Sequence, residues 1–110
     1  MSKKEQYGLE FIKLTANGET GYNCRRINGI VDINNDLQFM SDLSIADTQA
    51  LITEINSHLD QSEIGLDVQF FEYIELEFVG DQLRIDDRPY TFPLVDIRDL
   101  LQEWLEFLKT

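Results

Sequence analysis

The clearest order of apolar and polar positions lies in the last third of the chain, Glu72 to Leu108. Ile74, Leu76 and Phe78 share one parity while Glu75 and Glu77 take the other, the period-two pattern of a half-buried strand. Gly80-Asp81 then suits a two-residue type II′ turn, because glycine takes positive φ at the first central position without steric penalty. That turn predicts a register: Phe78 faces Leu83, Glu77 faces Arg84 and Leu76 faces Ile85. A second turn at Asp87-Arg88 pairs Ile85 with Tyr90 and Leu83 with Phe92, again on the apolar parity. Pro89 donates no ladder hydrogen bond, so its strand is expected at an edge. After Pro93 the period becomes helical, with Ile97, Leu100, Leu101, Trp104 and Leu108 at i, i+3, i+4 spacing. Asp96, Asp99, Glu103 and Glu106 line one flank of that helix.

Upstream the pattern is weaker. Tyr7 to Thr15 reads as a strand ended by Asn17-Gly18, a strong hairpin signal. A partner strand is expected from about Tyr22 to Ile33, with Gly29 marking a bulge. Asn34-Asn35-Asp36 turns the chain, and Leu37 to Met40 reads as one more short strand. A helix is predicted over Ile45 to Leu59, with Ser44 as N-cap and Asp47 three residues later. Gln61 to Asp67 is a polar connection into Val68 and a long strand ending at Val79. No repeat or linker divides the chain, so residues 1–110 form a single domain. The predicted fold is α+β: a mainly antiparallel sheet of about five strands, in the order β-β-α-β-β-β-α, with two helices on one face.

Composition agrees with a folded chain and adds an asymmetry. An apolar fraction of 43% is too high for disorder despite the charge. Cys24 is the only cysteine, no signal peptide follows Met1, and no apolar run has spanning length, so a cytoplasmic protein is expected. The net charge is −12, unevenly spread. Residues 1–27 hold five bases against three acids, whereas the remaining 83 hold eighteen acids against four bases. Between Arg26 and Arg84 there is no Lys or Arg, and twelve acids occur. Such a field repels nucleic acid and anionic membranes, since phosphate contacts need a basic patch, and it favours a basic protein partner.

Candidate chemistry is sparse. His58, the only histidine, sits near the end of the first predicted helix, where a surface or capping role is expected. Cys24 is expected to be a small, partly buried residue, although Arg25 and Arg26 beside it could activate a thiolate. Asp32, Asn34 and Asp36 match the first, third and fifth positions of a calcium loop, but Leu37 stands where glycine is needed and Leu43 where the bidentate glutamate is needed. No cofactor loop, metal spacing or catalytic residue emerges, and the chain reads as a non-enzyme.

A partner-binding face follows from the strand parity. If Ile74, Leu76 and Phe78 face the core, then Phe71, Tyr73, Glu75 and Glu77 face outward, joined by Arg84 and Asp86. Aromatic side chains among acids suit an interface with a basic partner; the rival reading is a homodimer formed through Phe71 and Tyr73 or through a sheet edge. Glu72 would point inward under strict alternation, which a bulge near Phe71 or a later strand start relieves.

The size, the acidity and the run LRIDDRPYTFPL leading into DLLQEWLEFL resemble immunity proteins of bacterial polymorphic toxin and contact-dependent inhibition systems. The resemblance is one of type and covers about the last third of the chain. It implies an inhibitor that binds a cognate toxin, often a basic nuclease, and blocks its active site.

Overall fold

The computed structural model describes residues 2–61, 68–71 and 74–110, without the side chains of Gln61, Val68 to Phe71 and Ile74. The chain is α+β. A short helix α1 (Lys3–Gln6) precedes a hairpin of β1 (Leu9–Ala16) and β2 (Glu19–Arg26). A turn at Ile27–Gly29 and a 3-10 stretch (Ile33–Asp42) lead into α2 (Ile45–Gln61). Then come β3 (Val68–Phe71), β4 (Ile74–Val79), β5 (Gln82–Ile85), a two-residue β6 (Phe92–Pro93) and α3 (Leu94–Leu108).

The turn chemistry of the sequence is realised closely. Asn17 and Gly18 both take positive φ, 54° and 81°, and close β1 onto β2 with Ala16 opposite Glu19. Gly80, at φ 61°, closes β4 onto β5 in the expected register: Phe78 opposite Leu83, Glu77 opposite Arg84, Leu76 opposite Ile85. The next turn falls one residue early, on Asp86 and Asp87. Both take positive φ, and Arg88 N–H donates to Ile85 C=O at 3.2 Å. Leu83 still pairs with Phe92, but no Ile85–Tyr90 pair forms; Pro89 lies outside the strands, and β6 is the edge.

One sheet of about five strands was expected; there are two. β1 and β2 form a two-stranded sheet, and β3-β4-β5-β6 form a second, entirely antiparallel one. The separation has a local cause at Ser41. Its Oγ accepts the Cys24 N–H at 2.9 Å and lies 3.0 Å from Cys24 C=O, occupying the edge of β2 that a further strand would need. The 3-10 stretch that delivers Ser41 replaces the strand expected at Leu37 to Met40. Asp32 starts it with a capping box to Asn35, and the three-residue period brings Leu37 and Met40 into the core together.

β2 also stops at Arg26 rather than Ile33. Asn28 (φ 57°) and Gly29 (φ 67°) turn the chain away, so Gly29 serves a left-handed turn and not a bulge. The expected long strand from Val68 to Val79 is divided in two. Phe71 pairs with Ile74, so β3 runs antiparallel along β4; Glu72, where strict alternation conflicted, lies outside the described residues.

α3 joins the two sheets. Leu94, Ile97, Leu100, Leu101 and Trp104 are fully buried, as its period predicts. Trp104 meets Phe11 edge-on at 5.0 Å between centroids, and Phe107 meets Tyr22 at 5.7 Å, which fixes the first hairpin against the helix. From the other side Leu76, Phe78, Leu83, Ile85 and Phe92 close the same core, with Leu51 and Ile55 of α2. The N–H of Leu94 is satisfied by Asp81 C=O at 2.9 Å, so the Gly80-Asp81 turn also positions the start of α3. Both helices therefore touch one core, but they are not laid on one face of a single sheet.

Candidate functional site

The acidic flank of α3 is the first place where sequence pattern and structure part company. Asp96 receives the Lys3 ammonium at 2.7 Å and the Tyr7 hydroxyl at 2.5 Å. Glu103 accepts the backbone N–H groups of Lys3 and Lys4 at 2.8 and 3.2 Å, placing a carboxylate at the N-terminus of α1. These hydrogen bonds hold the Asp96 carboxyl below its ordinary range, Lys3 first and Tyr7 second, and hold the Lys3 ammonium above its own. Half the flank is thus matched by the basic beginning of the chain. No local spacing links residues about a hundred positions apart; the only sequence signal was that the two segments carry opposite charge.

Other acids are matched too. Glu77 pairs with Arg84 at 2.6 Å directly across β4 and β5, as its register predicts. Glu10 pairs with Arg25 at 2.6 Å, and Asp32 with the buried Arg26 at 2.9 Å. Asp36 takes the Tyr90 hydroxyl and lies 3.5 Å from Arg88 Nε. Of the calcium-like pattern, Asp32 therefore serves as a helix cap and ion-pair partner and Asp36 as a docking point for the β5–β6 connection. Among the described residues, no group of three or more His, Cys, Asp or Glu could hold a metal ion.

Several acids, among them Glu5, Glu19, Asp42, Asp47, Asp60 and Asp81, have no ion-pair partner among the described residues, and a further group of such acids lies at one end of the second sheet. Glu75, Asp86 and Asp87 have no ion-pair partner among the described residues. Asp86 is exposed; its N–H donates to Glu75 C=O at 2.8 Å and its carboxylate accepts the Glu75 N–H at 3.1 Å, so these two acids are fixed side by side. Three of the predicted partner-binding residues, Glu75, Glu77 and Asp86, are thus brought together on β4 and at the end of β5.

The aromatic members are not placed with them. Tyr73 lies outside the described residues. Phe71 stands opposite Ile74, in the strand parity of the buried Leu76 and Phe78, whereas Phe70 stands opposite Glu75. The expected grouping assumed an uninterrupted strand from Phe71 to Glu77. The backbone register Phe71–Ile74 is not that of one uninterrupted strand.

The two classical reactive side chains are occupied structurally. A surface or helix-capping role is expected for His58, but its side chain is only 8% exposed: the ring lies against Phe78 at 4.3 Å between centroids, with Nε2 3.8 Å from Glu54. Its place on α2 faces the sheet because the apolar arc of that helix is wider than the period alone marked. Cys24 is buried, and burial pushes its thiol up to about 12, with Arg26 opposing weakly. The arginines beside it in sequence do not activate it. No helix among the described residues is long and apolar enough to cross a membrane. Comparison with protein-family models, curated proteins and solved structures finds no match to this chain, so its function is argued from its own residues.

Proposed function

We propose that the protein is a non-enzymatic binding protein that uses the acidic end of its second sheet to take a basic protein partner, and that it is an immunity protein inhibiting a cognate toxin, a basic nuclease being the best-matched target. The observation that carries this reading is the placement of three unpaired acids side by side, since other unpaired acids such as Glu19, Asp42 and Asp60 stand apart in sequence. Asp32, Glu77, Asp96 and Glu103 are each matched within the molecule, while Glu75, Asp86 and Asp87 are held together without an opposing cation among the described residues. Crowded like charges oppose the compact state, and a complementary surface relieves that cost while speeding encounter. The non-enzymatic part is supported by the fixed roles of His58 and Cys24 and by the direction in which Asp96 is shifted, that of an ion-pair anchor and not of a general acid.

The direct test is growth rescue: the chain is co-expressed with the toxin candidate encoded beside it, and the pair is isolated as a complex. Rescue with a stable complex is expected, and it weakens as salt is raised. Absence of both growth rescue and capture of a basic protein by the full chain would defeat the reading.

A further inference from the structure

The basic surplus of the first third has its own location. A recess of about 420 Å³ lies beside the first sheet and the loop that follows it, with Glu10, Arg25, Arg26, Asn28, Ile30 and Val31 along its wall. That volume falls within the roughly 300–1,000 Å³ of small-ligand sites. The Arg25 side chain is 56% exposed, and its Nε is held by Glu10 at 2.6 Å. Its terminal nitrogens have no partner among the described residues, so an oriented fork is left with one open edge, the geometry that matches a carboxylate.

Arg26 also lines the recess, with its guanidinium already engaged. Its terminal nitrogens hold Tyr7 C=O, Gly8 C=O and Asp32, while its Nε has no acceptor among the described residues. The rim is aliphatic: Ile30 and Val31 are 47% and 83% exposed, and nothing in the core accounts for them. The left-handed turn at Asn28-Gly29 and the Arg26–Asp32 bridge fix this loop at both ends, so the arrangement is organised in advance.

We propose that this recess binds an extended peptide segment bearing a carboxylate next to an aliphatic side chain, with the carboxylate on Arg25 and the aliphatic group on Ile30 and Val31. A monoanion fits better than a phosphate dianion, because Glu10 shares the wall and the whole molecule carries −12. The carboxamide of Asn28 offers both a donor and an acceptor to a peptide backbone. This site does not rest on the acidic-face reading: the residues tested below are not part of that face, and either can fail alone.

The test is an NMR titration of the full ¹⁵N-labelled chain with the singly charged peptide acetyl-Ala-Leu-Leu-Asp-amide. Saturable shifts are expected at the Arg25 side chain and at Asn28 and Val31. Arg25→Gln weakens binding about tenfold or more, the scale of a lost charge-assisted contact. Glu10→Gln tightens it by removing the competing carboxylate, and Val31→Ser weakens it. Arg25→Lys keeps the charge but loses the fork, and recovers only part of the affinity; it also serves if Arg25→Gln perturbs the fold. Equal shifts with the neutral acetyl-Ala-Leu-Leu-Asn-amide overturn the proposal. So do shifts reproduced by acetate at the same affinity, or binding indifferent to both arginine variants.

Discussion

Arg26 gathers three parts of the chain at one guanidinium. It reaches the carbonyls of Tyr7 and Gly8 and the carboxylate of Asp32, and its own side chain is 6% exposed. Gly8 is required by that arrangement. Its φ is +67°, and a Cβ there would lie 2.8 Å from the guanidinium. Gly8→Ala is therefore expected to cost about 2 kcal/mol or more, from left-handed strain plus displacement of a buried ion, read as a lower denaturant midpoint at unchanged m-value. Gly18→Ala, with positive φ but nothing within 4 Å of the added Cβ, is expected to cost less; equal losses would mean the guanidinium contact is unimportant. Cys24 gives a second prediction at this scale. With its thiol pushed up to about 12 by burial, it is expected to resist a colorimetric thiol reagent at neutral pH in the folded chain and to react at once when unfolded. Fast labelling of the native protein would contradict the burial.

At the scale of elements, α1 is the informative case. Four residues cannot hold a helix alone, and its stability comes from being fastened to α3 by Lys3–Asp96, Tyr7–Asp96 and Glu103. Because the Asp96 carboxyl is held below its ordinary 3.8, the stabilisation it gives is complete above that value and fades as pH falls through the lower folded value. Lys3 is raised above 10.5, so its share is complete below 10.5 and fades as pH rises through the higher folded value. Stability measured by thermal melting is expected to fall more steeply with acid in the native chain than in Asp96→Asn. Parallel acid profiles would separate α1 from this carboxylate. In the same variant, hydrogen exchange is expected to quicken at the amides of Gln6 and Tyr7, whose N–H groups bond Ser2 and Lys3 carbonyls within α1. The turns show the opposite behaviour. Asn17-Gly18 and Gly80-Asp81 set the β1–β2 and β4–β5 pairings from two residues each, so the first hairpin and the register of the second were legible in the sequence, although β2 begins at Glu19 and not near Tyr22. The 3-10 stretch was not, because the apolar spacing Leu37, Phe39, Met40 fits a short strand as well as a tight helix until the Asp32 cap is seen to form.

For the whole molecule the charge distribution matters most. The acids are not uniformly available: half of those on the α3 flank are matched by the N-terminal segment, and those of β4 and the β5–β6 turn are divided between Glu77, which pairs with Arg84, and Glu75, Asp86 and Asp87, which do not pair among the described residues. Binding to a basic partner is accordingly expected to suffer more from Glu75→Lys than from Glu103→Gln, with the salt dependence reduced in Glu75→Lys. Calorimetric titration at two ionic strengths reads both effects, and indifference to Glu75→Lys would move the interface elsewhere. Glu77→Lys is a poorer probe, because it also places like charges directly across the ladder and costs stability of about 0.2–1 kcal/mol.

By itself, the sequence determined what depends on near neighbours: α2 and α3, the Asn17-Gly18 and Gly80-Asp81 hairpins, the inward parity of Leu76 and Phe78, and the pairing of Glu77 with Arg84. Each follows from periodicity or from a two-residue turn, and both act within a few positions of the chain. Only the tertiary structure decided that the strands divide into two sheets, that β3 doubles back on β4, that His58 lies against Phe78, and that the basic N-terminal segment matches half of the acidic flank of α3. Those outcomes depend on contacts between residues far apart in sequence, such as Ser41 on the edge of β2 and Lys3 on Asp96. Charge counted along the chain shows how much is in excess, and folding decides which carboxylates remain unmatched.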